Sequence, residues 1–218
     1  MQSATFSLDG EYIASGSIPA GSDAGDASIK VWYQNTYKQL VYTLSEGEIG
    51  RYAVDYKSVT FSPVSAASPK GIGKIIASII NLHPEKSIML WDMTTGAIIG
   101  NLAHLDDINC FAFSENNLFI ASGNEDGTIK IWDLITQNLI VTIAAHRAGI
   151  NCIAFSNDSQ IIATGSKDKI IKLWNVKTSN LIFSIEGHLD AIDSIIFSQD
   201  NQQIVSSSQD GKNQKFGN

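Results

Sequence analysis

The sequence predicts an all-β protein: a β-propeller made of about five four-stranded antiparallel blades, forming an incomplete or partial ring. Two observations predict this fold. A Phe-Ser pair, a tryptophan and a histidine each recur along the chain, and in its second half they recur every 41 or 42 residues. Each repeat also contains four short segments rich in β-branched and aromatic residues, separated by polar turns. Units of this kind are typical of propeller blades, which bury their faces by stacking on one another.

Three independent features define the repeat. The Phe-Ser pairs begin at Phe6, Phe61, Phe113, Phe155 and Phe197. The tryptophans are Trp32, Trp91, Trp132 and Trp174, and the histidines are His104, His146 and His188. Their agreement divides a predicted single domain, residues 1–218, into the approximate units 1–45, 46–102, 103–144, 145–186 and 187–218, of which the last is truncated.

The third unit shows the expected strands clearly, and we label them a to d in chain order. They are predicted at 108–114, 118–124, 128–134 and 139–144. The connections between these strands consist of polar residues that favour turns. No segment keeps a helical period for three turns, so no helix is predicted.

Composition excludes several classes of protein. The chain has 218 residues, of which 44% are hydrophobic and 17% charged, as in soluble globular proteins. Its formal net charge of −7 disfavours nucleic acid and anionic membranes as partners. The sequence has neither a signal-peptide pattern nor 18 consecutive apolar residues, so the cytoplasm is the expected compartment. Cys110 and Cys152 are too few for a disulfide framework and are predicted to be small buried thiols.

The third and fourth units resemble WD repeats. The third has His104, a Phe-Ser pair and the segment IASGNEDGTIKIWD, and the fourth has His146, a Phe-Ser pair and IATGSKDKIIKLWN. The resemblance extends over nearly the whole chain, although Trp-Asp itself occurs only at Trp91 and Trp132, and Gly-His only at Gly187. It implies a protein whose work is to bind other proteins.

The resemblance also implies a polar network in each blade. In WD repeats it links a histidine before strand a, a Ser or Thr in strand b, an aspartate in the b–c turn and the tryptophan of strand c. Carried over by position, the residues are His104, Ser122, Asp126 and Trp132 in unit three; His146, Thr164, Asp168 and Trp174 in unit four; and His188, Ser206 and Asp210 in unit five. These groups can satisfy one another when buried. In unit five the tryptophan position falls at Phe216, which cannot donate a hydrogen bond.

Serine, histidine and aspartate together also compose a hydrolase triad. Because the set recurs in consecutive units with a tryptophan, we interpret it as structural and predict no catalytic residue. The histidines lie on different blades, so no metal site and no cofactor are predicted. The alternative is a propeller enzyme or metal-binding module with a central-channel site, for which Asp106, Asp107 and Asp190 are the candidates, although they share no consistent register.

Two surfaces are candidates for partner binding. The loops 18–25, 45–55 and 81–86 are longer than their later counterparts and are expected on one rim, where Arg51, Tyr52 and Tyr56 provide side chains frequent in hot spots. Neutral drift in loop length is the alternative. The same rim of units three to five carries Asp107, Arg147 and Asp190 before strand a, and Glu125 and Lys167 in the b–c turns, where the alternative is simple solvation.

The sequence therefore predicts a protein-interaction scaffold whose partners are other proteins. Because the chain starts and stops within a unit, we expect a fragment or module of a larger protein, and open blade edges would also permit self-association. A degenerate fragment without function is the remaining alternative. If the network is buried, Asp126→Ala or Asp168→Ala is expected to lose roughly 3–5 kcal/mol of stability.

Overall fold

A computed structural model describes residues 3–7, 9–16, 28–33, 40–44, 56–63, 74–81 and 86–217. These residues form five antiparallel sheets in which strands adjacent in sequence are hydrogen-bonded neighbours. The described part of the chain contains β-strands and no helix, and accordingly no helix there is long and apolar enough to cross a membrane. The predicted all-β class, with the antiparallel blades of a propeller, is confirmed.

The strands are numbered in chain order and grouped by blade. Blade one contains β1 (Ser3–Phe6), β2 (Tyr12–Gly16), β3 (Ile29–Tyr33) and β4 (Leu40–Leu44). Blade two contains β5 (Tyr56–Phe61), β6 (Ile75–Asn81), β7 (Lys86–Asp92) and β8 (Ile98–His104). Blade three contains β9 (Ile108–Phe113), β10 (Phe119–Asn124), β11 (Thr128–Asp133) and β12 (Leu139–Ala144). Blade four contains β13 (Ile150–Phe155), β14 (Ile161–Ser166), β15 (Ile171–Asn175) and β16 (Leu181–Ile185). Blade five has three strands, β17 (Ile192–Phe197), β18 (Gln203–Ser208) and β19 (Asn213–Gly217).

The chain forms two compact units, Met1–Leu105 and Asp106–Asn218. Stacked repeats contact mainly their neighbours, so such a division is compatible with the single domain expected for residues 1–218, which stays a prediction. Blades one and two make up the first unit, and blades three to five make up the second.

In the first compact unit, Met1–Leu105, apolar strand residues of blades one and two share one core. Ala14, Ile29 and Val31 of blade one belong to the same buried cluster as Phe61 and Trp91 of blade two. At the a–b turns the ammonium of Lys74 pairs with Asp9 and lies 3.3 Å from a carboxylate oxygen of Glu11. The unit is therefore held by an apolar core and by ion pairs at the surface.

In the second compact unit, Asp106–Asn218, two glycines allow neighbouring blades to approach closely. A Cβ atom on Gly123 would lie 2.6 Å from Ile150 Cγ2 of the next blade, and one on Gly165 would lie 2.5 Å from Ile192 Cγ2. Both distances are below any ordinary contact. The glycine after the Ser or Thr of strand b is thus required by blade stacking, which buries Ile150 and Ile192 completely.

Candidate interaction site

Blade four holds a continuous hydrogen-bonded chain of side chains. His146 precedes strand β13, and its Nδ1 lies 3.0 and 3.1 Å from the carboxylate oxygens of Asp168 in the b–c turn. Its Nε2 lies 2.8 Å from Thr164 Oγ1 on β14. The indole N–H of Trp174 donates to the same Oγ1 at 3.1 Å. Because the carboxylate favours a proton on Nδ1, Nε2 accepts the hydroxyl proton of Thr164.

Blade five repeats this arrangement without the indole. His188 Nδ1 lies 3.0 Å from Asp210 Oδ2, and Nε2 lies 2.7 Å from Ser206 Oγ. The residue opposite Ile204 is Phe216, whereas Trp174 occupies the equivalent place opposite Ile162. The imidazole, the carboxylate and the hydroxyl therefore meet in blade five although the tryptophan is missing.

The aspartate of blade three makes different contacts. Asp126 is exposed and accepts hydrogen bonds from the backbone N–H of Thr128 at 2.9 Å and from its Oγ1 at 2.7 Å. Blades four and five have Ile170 and Lys212 at this position, and neither has a hydroxyl to compete for the carboxylate. Within its own strand, His104 has Nδ1 2.7 Å from the carbonyl oxygen of Leu102. Ser122 and Trp132 are buried on β10 and β11.

The same aspartates fix the backbone around the network. Asp168 accepts from the N–H of Arg147 at 3.2 Å and from that of Ile170 at 3.1 Å. Asp210 accepts from the N–H of Leu189 at 2.8 Å and from that of Lys212 at 2.9 Å. One carboxylate thus ties the segment before strand a to the b–c turn in blade four, and another does so in blade five.

Burial and pairing shift the ionisation of these groups. Burial lowers the pKa of His146, and the nearby Asp168 opposes the shift only in part, so the imidazole is neutral at pH 7. Burial alone would raise the pKa of Asp168, but the interaction with His146 and the backbone hydrogen bonds lower it. The N–H of Leu189 is the main cause that lowers the pKa of Asp210 to about 2.

The segments before strand a and the b–c turns of blades three to five form what we call the network rim. Its candidate residues Asp107, Glu125, Arg147, Lys167 and Asp190 are all exposed. Lys167 Nζ lies 2.7 Å from both carboxylate oxygens of Glu125, and Asn109 Nδ2 donates to Glu125 at 2.7 Å. Hydrogen bonds from Lys167 and Asn109 are accordingly the main causes that lower the pKa of Glu125.

The candidate surface of blades one and two falls largely outside the described residues. Arg51 and Tyr52, with most of the three longer loops, belong to the part of the chain that is not described. Tyr56 opens strand β5, and its backbone pairs with Ile80. The hypothesis for this surface therefore still rests on the sequence.

No group of three His, Cys, Asp or Glu residues within the described ranges is placed to hold a metal ion. Cys110 and Cys152 are free thiols. Burial raises the pKa of Cys152 to about 12 and raises that of Cys110 as well, so both remain protonated and unreactive at neutral pH.

Comparison with known families agrees with the geometry. A sequence model described as "WD domain, G-beta repeat" matches residues 96–133, 137–175 and 179–213, about half of the chain. The chain belongs to the WD-repeat family. The matched segments span blades three, four and five, with the end of blade two.

Several WD-repeat relatives are similar to part of this chain. The CCR4-associated factor 4 homolog of Vanderwaltozyma polyspora is 29% identical over 114 residues, which are 41% of this chain and 17% of that protein. Striatin-4 of Homo sapiens is 23% identical over 135 residues, 58% of this chain and 18% of that protein. The serine-threonine kinase receptor-associated protein of Homo sapiens is 27% identical over 140 residues, 51% of this chain and 39% of that protein. The chain thus spans less than two fifths of the length of these relatives.

The residue after the tryptophan of blades two, three and four has a role that we did not predict. Oδ1 of Asp133 accepts from the N–H of Ile135 and Thr136 and from Thr136 Oγ1. Asp92 with Thr95 and Asn175 with Thr178 repeat this contact. In the WD repeat this side chain closes the c–d turn, and the threonine three residues later was the sequence signal.

Neighbouring blades are also joined by polar contacts that sequence reasoning missed. The backbone N–H of Asn116 donates to Ser159 Oγ at 3.2 Å, and that of Asn157 donates to Asn201 Oδ1 at 2.8 Å. The amide of Asn157 also donates to the carbonyl of Ser198 at 3.0 Å. Each contact links the a–b turn of one blade to that of the next.

Proposed function

We propose that this WD-repeat chain is a protein-interaction scaffold that holds its partners at the network rim of blades three to five. The observation that carries the proposal is that exposed charged side chains stand on a backbone fixed by buried polar groups. Asp107, Glu125, Arg147, Lys167 and Asp190 are the residues proposed to contact a partner. A rigid support reduces the entropy lost on binding.

The backbone of this rim is held by hydrogen bonds within blade three and within blade four. The N–H of Glu125 donates to the carbonyl of Asp107 at 2.8 Å, and that of Lys167 donates to the carbonyl of Gly149 at 2.9 Å. The N–H of Arg147 is bound by Asp168. The exposed charged side chains thus stand on constrained Cα positions, and Lys167 and Glu125 are paired with each other.

The relatives' names support a binding role. By its name, the serine-threonine kinase receptor-associated protein associates with a kinase receptor, and the CCR4-associated factor 4 homolog is named for an association as well. These names support the class of function, and the identity of the partner for this chain stays open. The surface at Arg51, Tyr52 and Tyr56 remains a second proposed contact region on sequence grounds.

The hydrogen bonds of the histidines favour a binding role without catalysis. Both ring nitrogens of His146 and of His188 are engaged by neighbouring side chains. A general base needs a nitrogen within reach of the substrate. We propose that the chain uses no cofactor, and the net charge of −7 favours protein partners over nucleic acid or anionic membrane. The cytoplasm remains the proposed compartment.

Affinity capture with quantitative mass spectrometry tests this proposal. We expect Arg147→Glu to lose at least one partner recovered by the wild-type chain, because it reverses an exposed rim charge and leaves the backbone N–H in place. Lys177→Glu, which reverses an exposed charge near the c–d turn of blade four, is the matched control. Loss of partners with the control but not with Arg147→Glu would contradict a binding surface at the network rim.

A thermal-shift assay tests the enzyme and metal-binding alternative. We expect calcium and zinc to leave the melting temperature of the purified chain unchanged. A large saturable rise with either ion would instead favour a metal-binding module.

A further inference from the structure

We propose that the network rim at the boundary of blades four and five binds an acidic segment of a partner protein. Carboxylates of that segment pair with Arg147 and Lys169, and an aliphatic side chain beside them covers Leu189. The inference rests on the proposed function, because it takes the network rim as the binding surface. It adds the chemical class of the partner and two contact residues, Lys169 and Leu189.

The first observation is that the charge of blade four differs from that of the whole chain. Residues 145–186 contain five Lys or Arg residues and three Asp or Glu residues, so their formal net charge is +2, whereas the whole chain has −7. Three of the five basic residues, Arg147, Lys167 and Lys169, are exposed at the network rim. Because the chain as a whole repels acidic molecules, an acidic segment is attracted mainly to this part of the surface.

The second observation is that two of these three basic side chains have no carboxylate partner. Lys167 is paired with Glu125, and its Nζ lies 2.7 Å from both carboxylate oxygens. Among the residues that the structure describes, Arg147 and Lys169 form no ion pair. Asp168, which precedes Lys169, is engaged in the polar network and by two backbone N–H groups. Arg147 and Lys169 can therefore pair with carboxylates of a partner.

Hydrogen bonds place an exposed leucine beside these two basic residues. Asp168 accepts from the N–H of Arg147 at 3.2 Å, and Lys169 follows Asp168 in the b–c turn. Lys169 Nζ lies 2.8 Å from the carbonyl oxygen of Leu189, across the boundary between the two blades. The N–H of Leu189 in turn donates to Asp210 at 2.8 Å. Because an ammonium has three N–H donors, the contact with the carbonyl leaves two for a carboxylate.

The exposure of Leu189 belongs to its place in the repeat. Leu189 follows the network histidine of blade five and is 70% exposed. Arg147 follows the network histidine of blade four and is exposed as well, although blade five packs beside blade four. The position is therefore exposed inside a run of blades. An exposed leucine gains from contact with an apolar side chain, which a protein segment offers and the phosphates of a nucleic acid do not.

The third observation is that Lys169 has a backbone conformation that favours glycine. Its φ is 72°, whereas blades three and five have Gly127 and Gly211 at this position, with φ of 81° and 78°. A lysine with this φ costs stability that glycine does not cost. Residues held in such conformations cluster at functional sites, where the side chain is needed. A binding role for the ammonium accounts for a lysine at this position.

Fluorescence anisotropy with the purified full chain tests the proposal. The probe is a labelled peptide with a central leucine flanked on both sides by aspartates. In two comparison peptides, serine replaces the leucine or lysines replace the aspartates. We expect saturable binding of the probe and weaker binding of both comparison peptides. Arg147→Glu, Lys169→Glu and Leu189→Ser chains should each bind the probe about threefold to tenfold more weakly than the wild-type chain does.

A Lys169→Gly chain separates a binding role from a structural one. This change removes the ammonium and relieves the positive φ, so we expect about threefold weaker binding of the probe together with a higher melting temperature. Damage to the fold would lower the melting temperature as well. Lys169→Arg keeps the charge and should bind the probe as the wild-type chain does.

The matched controls change similar residues away from this surface. Lys177→Glu reverses an exposed charge near the c–d turn of blade four, and Ile140→Ser removes an aliphatic side chain on β12 that is 52% exposed. Both chains should bind the probe as the wild-type chain does.

Several outcomes would overturn the acidic segment as the partner. These are absence of saturable binding, binding of the lysine peptide as tight as that of the probe, and binding that Lys169→Glu does not change. Tighter binding of labelled single-stranded DNA, lost in the same variants, would show that phosphate is the ligand and would also overturn it. The network rim as a binding surface is tested separately, by the partners that the Arg147→Glu chain fails to capture.

Discussion

Blades four and five make the same histidine contacts in different surroundings. Nδ1 of the histidine lies 3.0 Å from Asp168 in blade four and 3.0 Å from Asp210 in blade five. Blade four adds the indole of Trp174 and a fourth strand, and blade five has neither. The geometry of imidazole, carboxylate and hydroxyl thus depends on the segments before strand a and around the b–c turn, and it does not require the tryptophan.

Blade three shows what can disturb this geometry. Its b–c turn places Thr128 two residues after Asp126, and the carboxylate accepts from that hydroxyl and from its N–H. The role of an aspartate in the network therefore depends on local competition for its oxygens as well as on its position in the repeat.

The largest expected effect comes from removing the carboxylate of blade four. Asp168→Ala leaves His146 buried without its charged partner and frees the N–H of Arg147, so we expect a loss of about 3 kcal/mol. This is the lower end of the range expected from the sequence, because the Asp168 side chain is 12% exposed. Chemical denaturation measures the loss. Asp126→Ala is the matched control with about 1 kcal/mol, and equal losses would contradict the contrast between the two aspartates.

A smaller loss of stability is expected when Trp174 of blade four is replaced by phenylalanine, the residue type that blade five has at this position. Trp174→Phe removes the indole N–H that donates to Thr164. We expect a loss of about 1–2 kcal/mol in chemical denaturation. The His146 pairing should persist, as it does in blade five, and NMR of the imidazole would report it. Loss of the contact between His146 and Asp168 would show that this contact does require the tryptophan.

Acid should weaken the polar network of blade four. Burial holds the pKa of His146 below its ordinary 6.5, so the native state binds fewer protons than the unfolded state as the pH falls through that value, and stability decreases. Below about pH 4 the protein loses further stability, because the pKa of Asp210 is lowered to about 2. This loss grows as the pH falls from about 4 to about 2. Hydrogen exchange at pH 7.5 and 5.5 should show a loss of protection in β14 at the lower pH. A His146→Gln chain, which lacks the titrating imidazole, should not show this loss, and persistence of the loss there would contradict this origin.

The smallest effect concerns the b–c turns. Lys169 has a φ of 72°, where blades three and five have Gly127 and Gly211. Lys169→Gly should relieve this strain and raise stability by about 0.5 kcal/mol in chemical denaturation, after the larger backbone entropy of glycine is subtracted. Gly211→Ala is the converse test, because no atom within 4 Å would meet the new Cβ and the loss would come from φ alone. A destabilised Lys169→Gly chain would indicate that the contact of Lys169 Nζ with the Leu189 carbonyl outweighs the strain.

Several elements could be predicted because their causes are local. The strand expected at 139–144 is observed as Leu139–Ala144, and that expected at 108–114 is observed as Ile108–Phe113. Alternating β-branched residues and polar turns determine such strands over a few residues. The partners of His146 could be named in advance because the repeat fixes their places on one sheet. The rim residues stay a prediction, since exposed charges reveal a partner only when it binds.

The sequence by itself determined the repeat, the antiparallel blades and the residue types of the polar network, because period and local strand preference are properties of the chain. Only the tertiary structure decided which groups meet between blades. The bond from Asn157 to Asn201, the close approach of Gly165 to Ile192 and the contact of Lys169 Nζ with the Leu189 carbonyl depend on how adjacent sheets stack. Stacking distances of a few ångströms arise from the packing of many side chains at once, and no repeat carries that information alone.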